Sequence, residues 1–325
     1  MQNVRTRLRA LWRPRFRHGV ILALVPLGVA LLAFVAVAFR DPTSRFLDRH
    51  SHLAKVTVAR AQVVDGHVVE FVRLGAASGL VVDLLIKSPL PDHDIDASLP
   101  GRRPALLLLG GHVTGRDAVR LIPDTRGTVV AAMSYPYRGE HRLNGLQIVR
   151  HVPAIRGAVL DTPPAVMLAL DYLASRSDVD PRRIEGVGVS LGAPFMVIAG
   201  ALDPRLGRVW SIHGSAGSYG PLAANLERTI HFAPARAAVA ALASLLISGP
   251  RLAPERWVGR IAPRAFVMLN ARDDEQMPRP FVERLYESAG EPKSMIWVPG
   301  GHVRAKPEIV RPLIDTVLAR VVAAP

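Results

Sequence analysis

Residues 183–194, which read RIEGVGVSLGAP, place a run of apolar and small residues directly before the pentapeptide Gly-Val-Ser-Leu-Gly. Only Glu185 carries a charge between Ile184 and Val189, and so short an apolar run is typical of a strand that is covered on both faces of a sheet. The residues after Ser190 favour a helix through Ala201. A buried strand that turns sharply into a helix indicates a layered α/β fold.

The remainder of the chain repeats this alternation of strands and helices. Residues 55–90 alternate apolar and polar positions between turn signals, which predicts antiparallel strands. Later apolar runs predict strands at 105–111, 128–135, 208–214, 265–271 and 294–300. Helices are predicted near 115–122, 279–289 and 307–322, and a helix start at 161–164, where Asp-Thr-Pro-Pro supplies a capping side chain and prolines. We therefore expect a mostly parallel sheet with helices on both faces.

The N-terminal residues form two contrasting segments. Residues 1–18 contain six arginines and no acidic residue, and residues 19–39 then run for 21 positions without a charge. At ~1.5 Å per residue, a helix of that length spans the ~30 Å hydrocarbon core of a bilayer. The run also exceeds the ~7–15 apolar residues of a signal peptide. We predict a transmembrane anchor over 19–39 rather than a buried core helix, followed by a polar linker over 40–53.

The basic residues on either side of the predicted anchor indicate its orientation. Six arginines precede it, and four basic residues follow it within residues 40–55. The more basic flank tends to stay in the cytoplasm, so residues 1–18 are expected inside and residues 54–325 outside. One alternative remains open, because Ala36-Val37-Ala38 has the form of a signal-peptidase site and cleavage there would release the protein.

Composition excludes several classes of function. The formal net charge is +14, but the excess comes from arginines that are mostly interspersed with acidic residues, without the basic and aromatic stripe of a nucleic-acid surface. The chain has no cysteine, which excludes disulfides, thiolate metal sites and a cysteine nucleophile. It has no glycine-rich nucleotide-binding motif either. We therefore expect no nucleic-acid partner, no cofactor and no metal.

The G-x-S-x-G pentapeptide makes Ser190 a candidate nucleophile. A serine on a sharp turn between a buried strand and a helix is exposed at the top of the sheet, and the helix directs its N-terminal N–H groups at the reacting atom. The alternative is a serine in an ordinary glycine-rich turn or helix cap. A nucleophilic serine also needs a general base, and that base needs an acid to orient it.

The base and the acid are expected late in the chain. His302 follows the last predicted strand and is the only histidine after the candidate acids, which makes it the expected base. The preceding strand ends in Asn-Ala-Arg-Asp-Asp-Glu and offers Asp273, Asp274 and Glu275. Asp274 is favoured because a proline follows it four residues later, and the other two acids stay open as alternatives.

The oxyanion hole and the pocket are predicted from loops near Ser190. The backbone N–H of Leu191 should be one donor, and the backbone of His112, after the first parallel strand, should be the other. The candidate pocket residues are Gly111, Val113, Tyr137, His213, Tyr219 and Trp257. The long stretch 218–263 is either a cap over the pocket or an ordinary covering helix.

The chain resembles the α/β-hydrolase family, and within it the bacterial branch that is similar to dienelactone hydrolases and acetyl esterases. The resemblance rests on DVDPRRIEGVGVSLGA (178–193), YPYRG (135–139), NARDDEQMP (270–278) and VPGGH (298–302). It implies one α/β-hydrolase domain over 54–325. The sequence departs from dienelactone hydrolases at the nucleophile, where serine replaces cysteine, and this favours carboxylic ester cleavage.

The resulting expectation is a serine hydrolase that acts on small ester substrates through an acyl-enzyme. A peptidase or thioesterase on the same residues remains an alternative, as does a binding protein on a hydrolase fold. The expected location is a bacterial inner membrane, with the catalytic domain in the periplasm.

Overall fold

The computed structural model describes residues 14–90, 102–140 and 145–323, apart from a few side chains. They belong to two compact units, Met1–Asp41 and Pro42–Pro325. The first unit contains helix α1 (Pro14–Phe39). Among the described residues, none of the helices combines the length and the apolar character needed to cross a membrane. The anchor predicted over 19–39 is therefore not supported, and the side chains of 19–24, 27 and 31 lie outside the described set, as do residues 1–13.

The second unit is built on a nine-stranded sheet. Its strands are β1 (Leu53–Val64), β2 (His67–Ala76), β3 (Val81–Pro89), β4 (Arg103–Leu109), β5 (Val129–Met133), β6 (Val179–Val189), β7 (Leu206–Ile212), β8 (Ala265–Ala271) and β9 (Lys293–Val298). Their order in the sheet is β1-β2-β3-β5-β4-β6-β7-β8-β9. The first three pair antiparallel with one another and β3 pairs antiparallel with β5, whereas all later pairs are parallel. Both the antiparallel start and the parallel remainder agree with the expectation.

The first helix of this unit precedes β1, and the others lie between or after the later strands. They are α2 (Thr43–His50), α3 (Gly145–Ser175), α4 (Ala193–Leu202), α5 (Tyr219–Leu226), α6 (Ala233–Leu246), α7 (Arg279–Glu287) and α8 (Pro307–Ala323). Short 3₁₀ turns cover 115–121, 190–192, 254–256 and 258–261. The helix predicted near 115–122 is thus a 3₁₀ turn. Residues 43–50, within the predicted linker, form α2, whose Phe46 is fully buried and packs on Trp257 with ring centroids 5.9 Å apart.

The buried part of β4, residues 105–109, is apolar at every position because both faces of the sheet are covered there. Leu107 and Leu109 belong to the core on one face of the sheet, together with α3 and α4. Leu106 and Leu108 belong to a second core on the other face, together with α8. Because side chains alternate between faces, a strand covered on both sides buries consecutive residues, which favours an unbroken apolar run.

The helix start predicted at 161–164 is wrong. Helix α3 runs through Pro163 and Pro164 without ending. The Thr162 hydroxyl donates to the carbonyl of Ala158 at 2.7 Å, one turn earlier, so this side chain bonds within the helix and does not cap a helix start. Residues 165–170 are all buried. Burial of this apolar face outweighs the local signal for a helix terminus, since most helix stability in proteins comes from tertiary packing.

Candidate active site

Ser190 lies at the carboxyl end of β6, in a backbone conformation that side chains rarely adopt. Its φ is +53°, in the left-handed region, which costs a non-glycine residue about 1–2 kcal/mol. Glycine is required at both flanking positions, because neighbouring backbone atoms lie too close for a side chain. A Cβ on Gly188 would lie 2.6 Å from the Cα of Ala193, and a Cβ on Gly192 would lie 1.9 Å from the carbonyl oxygen of Leu109. The pattern G-x-S-x-G therefore reflects a tight turn packed against α4 and β4.

Replacing Gly192 with alanine should displace this turn. We expect Gly192→Ala to lower the free energy of unfolding by about 1–3 kcal/mol, because the new methyl group overlaps backbone that cannot move aside. Gly157→Ala is the matched control, since a Cβ there meets nothing within 4 Å inside α3. That change should raise stability by about 0.5–1 kcal/mol. Urea unfolding of both variants measures the difference, and equal effects would contradict this account of the turn.

The structure brings His302 to Ser190 from the loop after β9. The distance between Ser190 Oγ and His302 Nε2 is 2.8 Å, and His302 is buried, with 8% of its surface exposed. Its Nδ1 lies 2.9 Å from each carboxylate oxygen of Asp274. Nδ1–H therefore donates to Asp274, and the free lone pair of Nε2 can accept the serine hydroxyl proton.

Asp274 lies in the turn after β8, where its carboxylate is enclosed by donors. Its Oδ1 accepts the backbone N–H groups of Gln276 at 2.9 Å and Met277 at 3.0 Å. Burial by itself would raise the pKa of Asp274, but hydrogen bonds from His213 and His302 hold that pKa below its ordinary value. Asp274 is thus ionised and holds the ring of His302 in one orientation.

The two neighbouring acids take other positions. Glu275 Oε2 accepts the backbone N–H of His302 at 3.1 Å, which lowers the pKa of Glu275, and its other oxygen forms an ion pair with Arg228 at 3.2 Å. The backbone N–H of Asp273 donates to the carbonyl of Gly300 at 3.1 Å. Of the three candidate acids, it is Asp274 whose carboxylate contacts the ring of His302.

His213, predicted as a pocket residue, contacts the acid of the site, Asp274. It follows β7, it is 2% exposed, and its Nδ1 lies 2.6 Å from Asp274 Oδ2. The sequence did not suggest this histidine as the base, because it precedes all three candidate acids. The carboxylate that it contacts lies 61 residues later and already serves His302.

A cavity of about 190 Å³ opens beside Ser190. Its wall is mostly apolar and is made by the loop after β4, the 3₁₀ turn 115–121, the residues after His302, and α8. The lining residues are Leu108, Gly110, Gly111, His112, Val113, Thr114, Ala118, Leu121, Val189, Ser190, Val303, Arg304, Ala305, Val310 and Ile314. Gly111, His112 and Val113, three of the predicted pocket residues, are among them, together with Ser190.

The two predicted oxyanion donors, Leu191 and His112, lie on different segments of the chain. Leu191 lies in the 3₁₀ turn that begins at Ser190, and His112 lies on the loop after β4. Sequence analysis missed Tyr135, which is partly buried and whose hydroxyl donates to the carbonyl of Gly110 at 2.7 Å and so supports that loop. Burial raises the pKa of Tyr135, which keeps the hydroxyl protonated as a donor. The role of Leu191 and His112 as donors stays a prediction.

Three other predicted pocket residues do not line this cavity. Tyr137 packs against Gly139, Tyr219 begins α5 and is 41% exposed, and Trp257 is buried against Phe46. The indole N–H of Trp257 donates to the carbonyl of Arg251 at 3.1 Å. Trp257 is therefore a core residue. Stretch 218–263 contains α5, α6 and two 3₁₀ turns, and its action as a cap stays a prediction.

In the part of the chain that the structure describes, one group of side chains has the spacing of a metal site. His213, Asp274 and His302 offer ligand atoms that all lie within 4.8 Å of one another. Hydrogen bonds between the same atoms account for this spacing, because each histidine donates to the carboxylate.

The second unit has the α/β-hydrolase fold. Acetyl xylan esterase 1 from Thermoanaerobacterium sp. JW/SL YS485 superimposes on 86% of this chain and 93% of its own, with a TM-score of 0.60 and 16% identity. An acetyl xylan esterase from Paenibacillus sp. R4 covers 85% and 91%, with a TM-score of 0.60 and 17% identity. A cold-adapted esterase from an Arctic intertidal metagenomic library covers 82% and 99%, with a TM-score of 0.54 and 15% identity.

Sequence comparison alone gives a weaker likeness. The uncharacterized protein YfhR of Salmonella typhi is 27% identical over 183 residues, which are 53% of this chain. The match spans about half of that protein, at 54% of its length. No protein-family model matches the chain. The similarity to solved structures therefore identifies the fold.

Proposed function

We propose that this protein is a serine hydrolase that cleaves carboxylic esters. The observation that carries the proposal is the continuous set of hydrogen bonds from Ser190 through His302 to Asp274, with donor–acceptor distances of 2.8 and 2.9 Å. A serine, a buried histidine and an ionised acid in this order form a nucleophile with its base and the group that orients it. The similar folds of several esterases support the same chemistry.

In the proposed reaction, Ser190 Oγ attacks the ester carbonyl carbon while His302 Nε2 takes the hydroxyl proton. The carbonyl oxygen becomes an oxyanion, which the backbone N–H groups of Leu191 and His112 stabilise. When the tetrahedral intermediate collapses, His302 gives its proton to the departing alkoxide and the acyl group stays on Ser190. Water, deprotonated by His302, then releases the acid and restores the serine. Asp274 remains ionised and stabilises the imidazolium that forms in both halves.

The cavity beside Ser190 favours small substrate groups. Its volume of about 190 Å³ is below the ~300–1,000 Å³ that is usual for drug-sized ligands. Apolar side chains make up most of its wall. We therefore propose that it binds a short acyl chain or a small apolar alcohol group rather than a long lipid chain.

Enlarging this cavity should shift the preference to longer chains. Leu121 is half-buried on the cavity wall, and Leu121→Ala removes three carbon atoms from it. We expect kcat/KM for hexanoyl relative to acetyl p-nitrophenyl ester to rise about tenfold, since each buried methylene contributes ~0.8 kcal/mol. Leu242→Ala, at an exposed position on α6, is the control and should leave the ratio unchanged. An unchanged ratio in Leu121→Ala would show that the cavity does not hold the acyl chain.

A fluorophosphonate probe tests the proposed function directly. The full chain would be treated with the probe, and the adduct located by peptide mass spectrometry, with hydrolysis of ester, thioester and amide substrates measured in parallel. We expect labelling at Ser190 and hydrolysis of esters in preference to amides. A folded protein that neither labels nor hydrolyses any of the three substrates would overturn the proposal, and a preference for thioesters or amides would reassign the substrate.

We propose further that residues 19–39 anchor the chain in a bacterial inner membrane, with the hydrolase unit in the periplasm. This rests on the sequence, namely the uncharged run and the six preceding arginines. Fractionation of cells that produce the full chain tests it. We expect full-length protein that alkaline carbonate does not extract from the membrane. Protease added on the periplasmic side should degrade it. A shortened soluble product would instead favour cleavage near Ala38 and release.

A further inference from the structure

His213 contacts the acid of the site and no part of the substrate cavity. Its Nδ1 lies 2.6 Å from Asp274 Oδ2, and its ring meets the ring of His302 edge-on, with centroids 5.2 Å apart. Both rings are almost fully buried. The mechanism above does not use this side chain.

The backbone around His213 is held in place against β8. His213 has a φ of +50°, a left-handed conformation that disfavours a residue with a side chain. Its backbone N–H donates to the carbonyl of Leu269 at 2.8 Å, and the side-chain amide of Asn270 donates to the carbonyl of Gly214 at 2.9 Å. The loop after β7 is thereby fastened to the strand whose carboxyl end leads into Asp274.

The two oxygens of Asp274 differ in what holds them. Oδ1 accepts two backbone N–H groups, from Gln276 and Met277, and a share of His302 Nδ1–H. Among the described residues, the hydrogen bonds to Oδ2 come from the rings of His302 and His213. His302 gains and loses its proton at Nε2, so the charge of its ring, and with it the strength of its Nδ1–H hydrogen bond to Asp274, changes during the reaction. His213 supplies a donor to Oδ2 that takes no part in proton transfer.

We infer that His213 is a positioning residue, which donates Nδ1–H to Asp274 and keeps the carboxylate in the plane that His302 requires. The inference rests on the proposed serine-hydrolase function. Removing the donor would leave a buried anionic oxygen short of one hydrogen bond, and the carboxylate could rotate away from His302. The effect would fall on the chemical step, because His213 does not line the cavity beside Ser190.

Two substitutions at His213 separate positioning from packing. In His213→Asn, the amide nitrogen is the same number of bonds from the backbone as Nδ1 and can donate in its place. In His213→Leu, the side chain fills similar space without a donor. The exposed His231 gives a matched control as His231→Leu. Steady-state kinetics on p-nitrophenyl acetate, with the full chain, measure kcat and KM for each variant.

We expect His213→Leu to lower kcat about tenfold to hundredfold with little change in KM, since a hydrogen bond to a charged group contributes more than one between neutral groups. His213→Asn should recover most of the lost kcat, and His231→Leu should match the unmodified protein. Thermal melting of each variant checks that it is folded. A merely structural role would lower the folded fraction in both His213 variants without this recovery.

Proton NMR gives a readout that does not depend on turnover. We expect two downfield imidazole N–H resonances, of which His213→Leu removes one and His302→Leu the other. A folded His213→Leu with unchanged kcat, an asparagine variant no better than leucine, or a single such resonance in the unmodified protein would overturn the inference alone. An unmodified protein that hydrolyses no substrate would overturn the proposed function and this inference with it.

Discussion

Ser190→Ala should lower kcat for ester hydrolysis by on the order of 10⁵-fold or more, because no other group can form the acyl-enzyme. The hydroxyl contacts His302 Nε2 and lies on the wall of the cavity. Alanine keeps the Cβ and adds no bulk to the turn, so the fold and substrate binding should persist. Fluorophosphonate labelling should disappear together with turnover.

Ser175→Ala is the matched control for this substitution. Ser175 is exposed at the end of α3, and its hydroxyl donates to the carbonyl of Tyr172 at 2.7 Å. It should retain full kcat and labelling. Substantial hydrolysis by a purified Ser190→Ala variant would remove Ser190 as the nucleophile, whatever its geometry.

Asp274→Asn should lower kcat by about 10⁴-fold, as expected when the histidine of a serine–histidine–acid triad takes the wrong tautomer. An asparagine can turn its N–H₂ group toward Nδ1 of His302, and His302 then carries its proton on Nε2. That nitrogen could no longer accept the proton of Ser190. Asparagine can still accept the backbone N–H groups of Gln276 and Met277, so the loop should keep its shape.

The neighbouring acids provide the controls for Asp274. Asp273→Asn should leave kcat within about twofold, because Asp274 is the acid that contacts the ring of His302. A surface substitution away from the reacting groups changes the free energy by ~0.5 kcal/mol at most. Glu275→Gln should cost more, because it removes the negative charge that accepts the backbone N–H of His302 and pairs with Arg228. If Asp273→Asn gave the larger loss, the acid would have to be reassigned. Steady-state assays on the purified variants measure kcat, and circular dichroism checks that each variant is folded.

Local sequence patterns were sufficient for the sheet and the turn at Ser190. Continuous apolar runs predicted the parallel strands, and alternation predicted the antiparallel ones, because the period of side-chain burial is a property of the strand itself. The requirement for glycine at 188 is likewise local, since a Cβ there would meet Ala193, five residues later. At 192 it is tertiary, since a Cβ there would meet the backbone of Leu109 on β4. Local signals failed at the prolines of α3, where tertiary burial decided the outcome.

The chain order of serine, acid and histidine is also a property of the sequence, and it led to Ser190, Asp274 and His302 before any distance was known. What tertiary structure decided is which polar groups meet. His302 and Ser190 are 112 residues apart, and His213 and Asp274 are 61 apart. Such contacts depend on how the carboxyl ends of β6, β7, β8 and β9 align in one sheet. No local pattern encodes that alignment, so the second histidine on Asp274 and the true wall of the cavity appeared only in the folded protein.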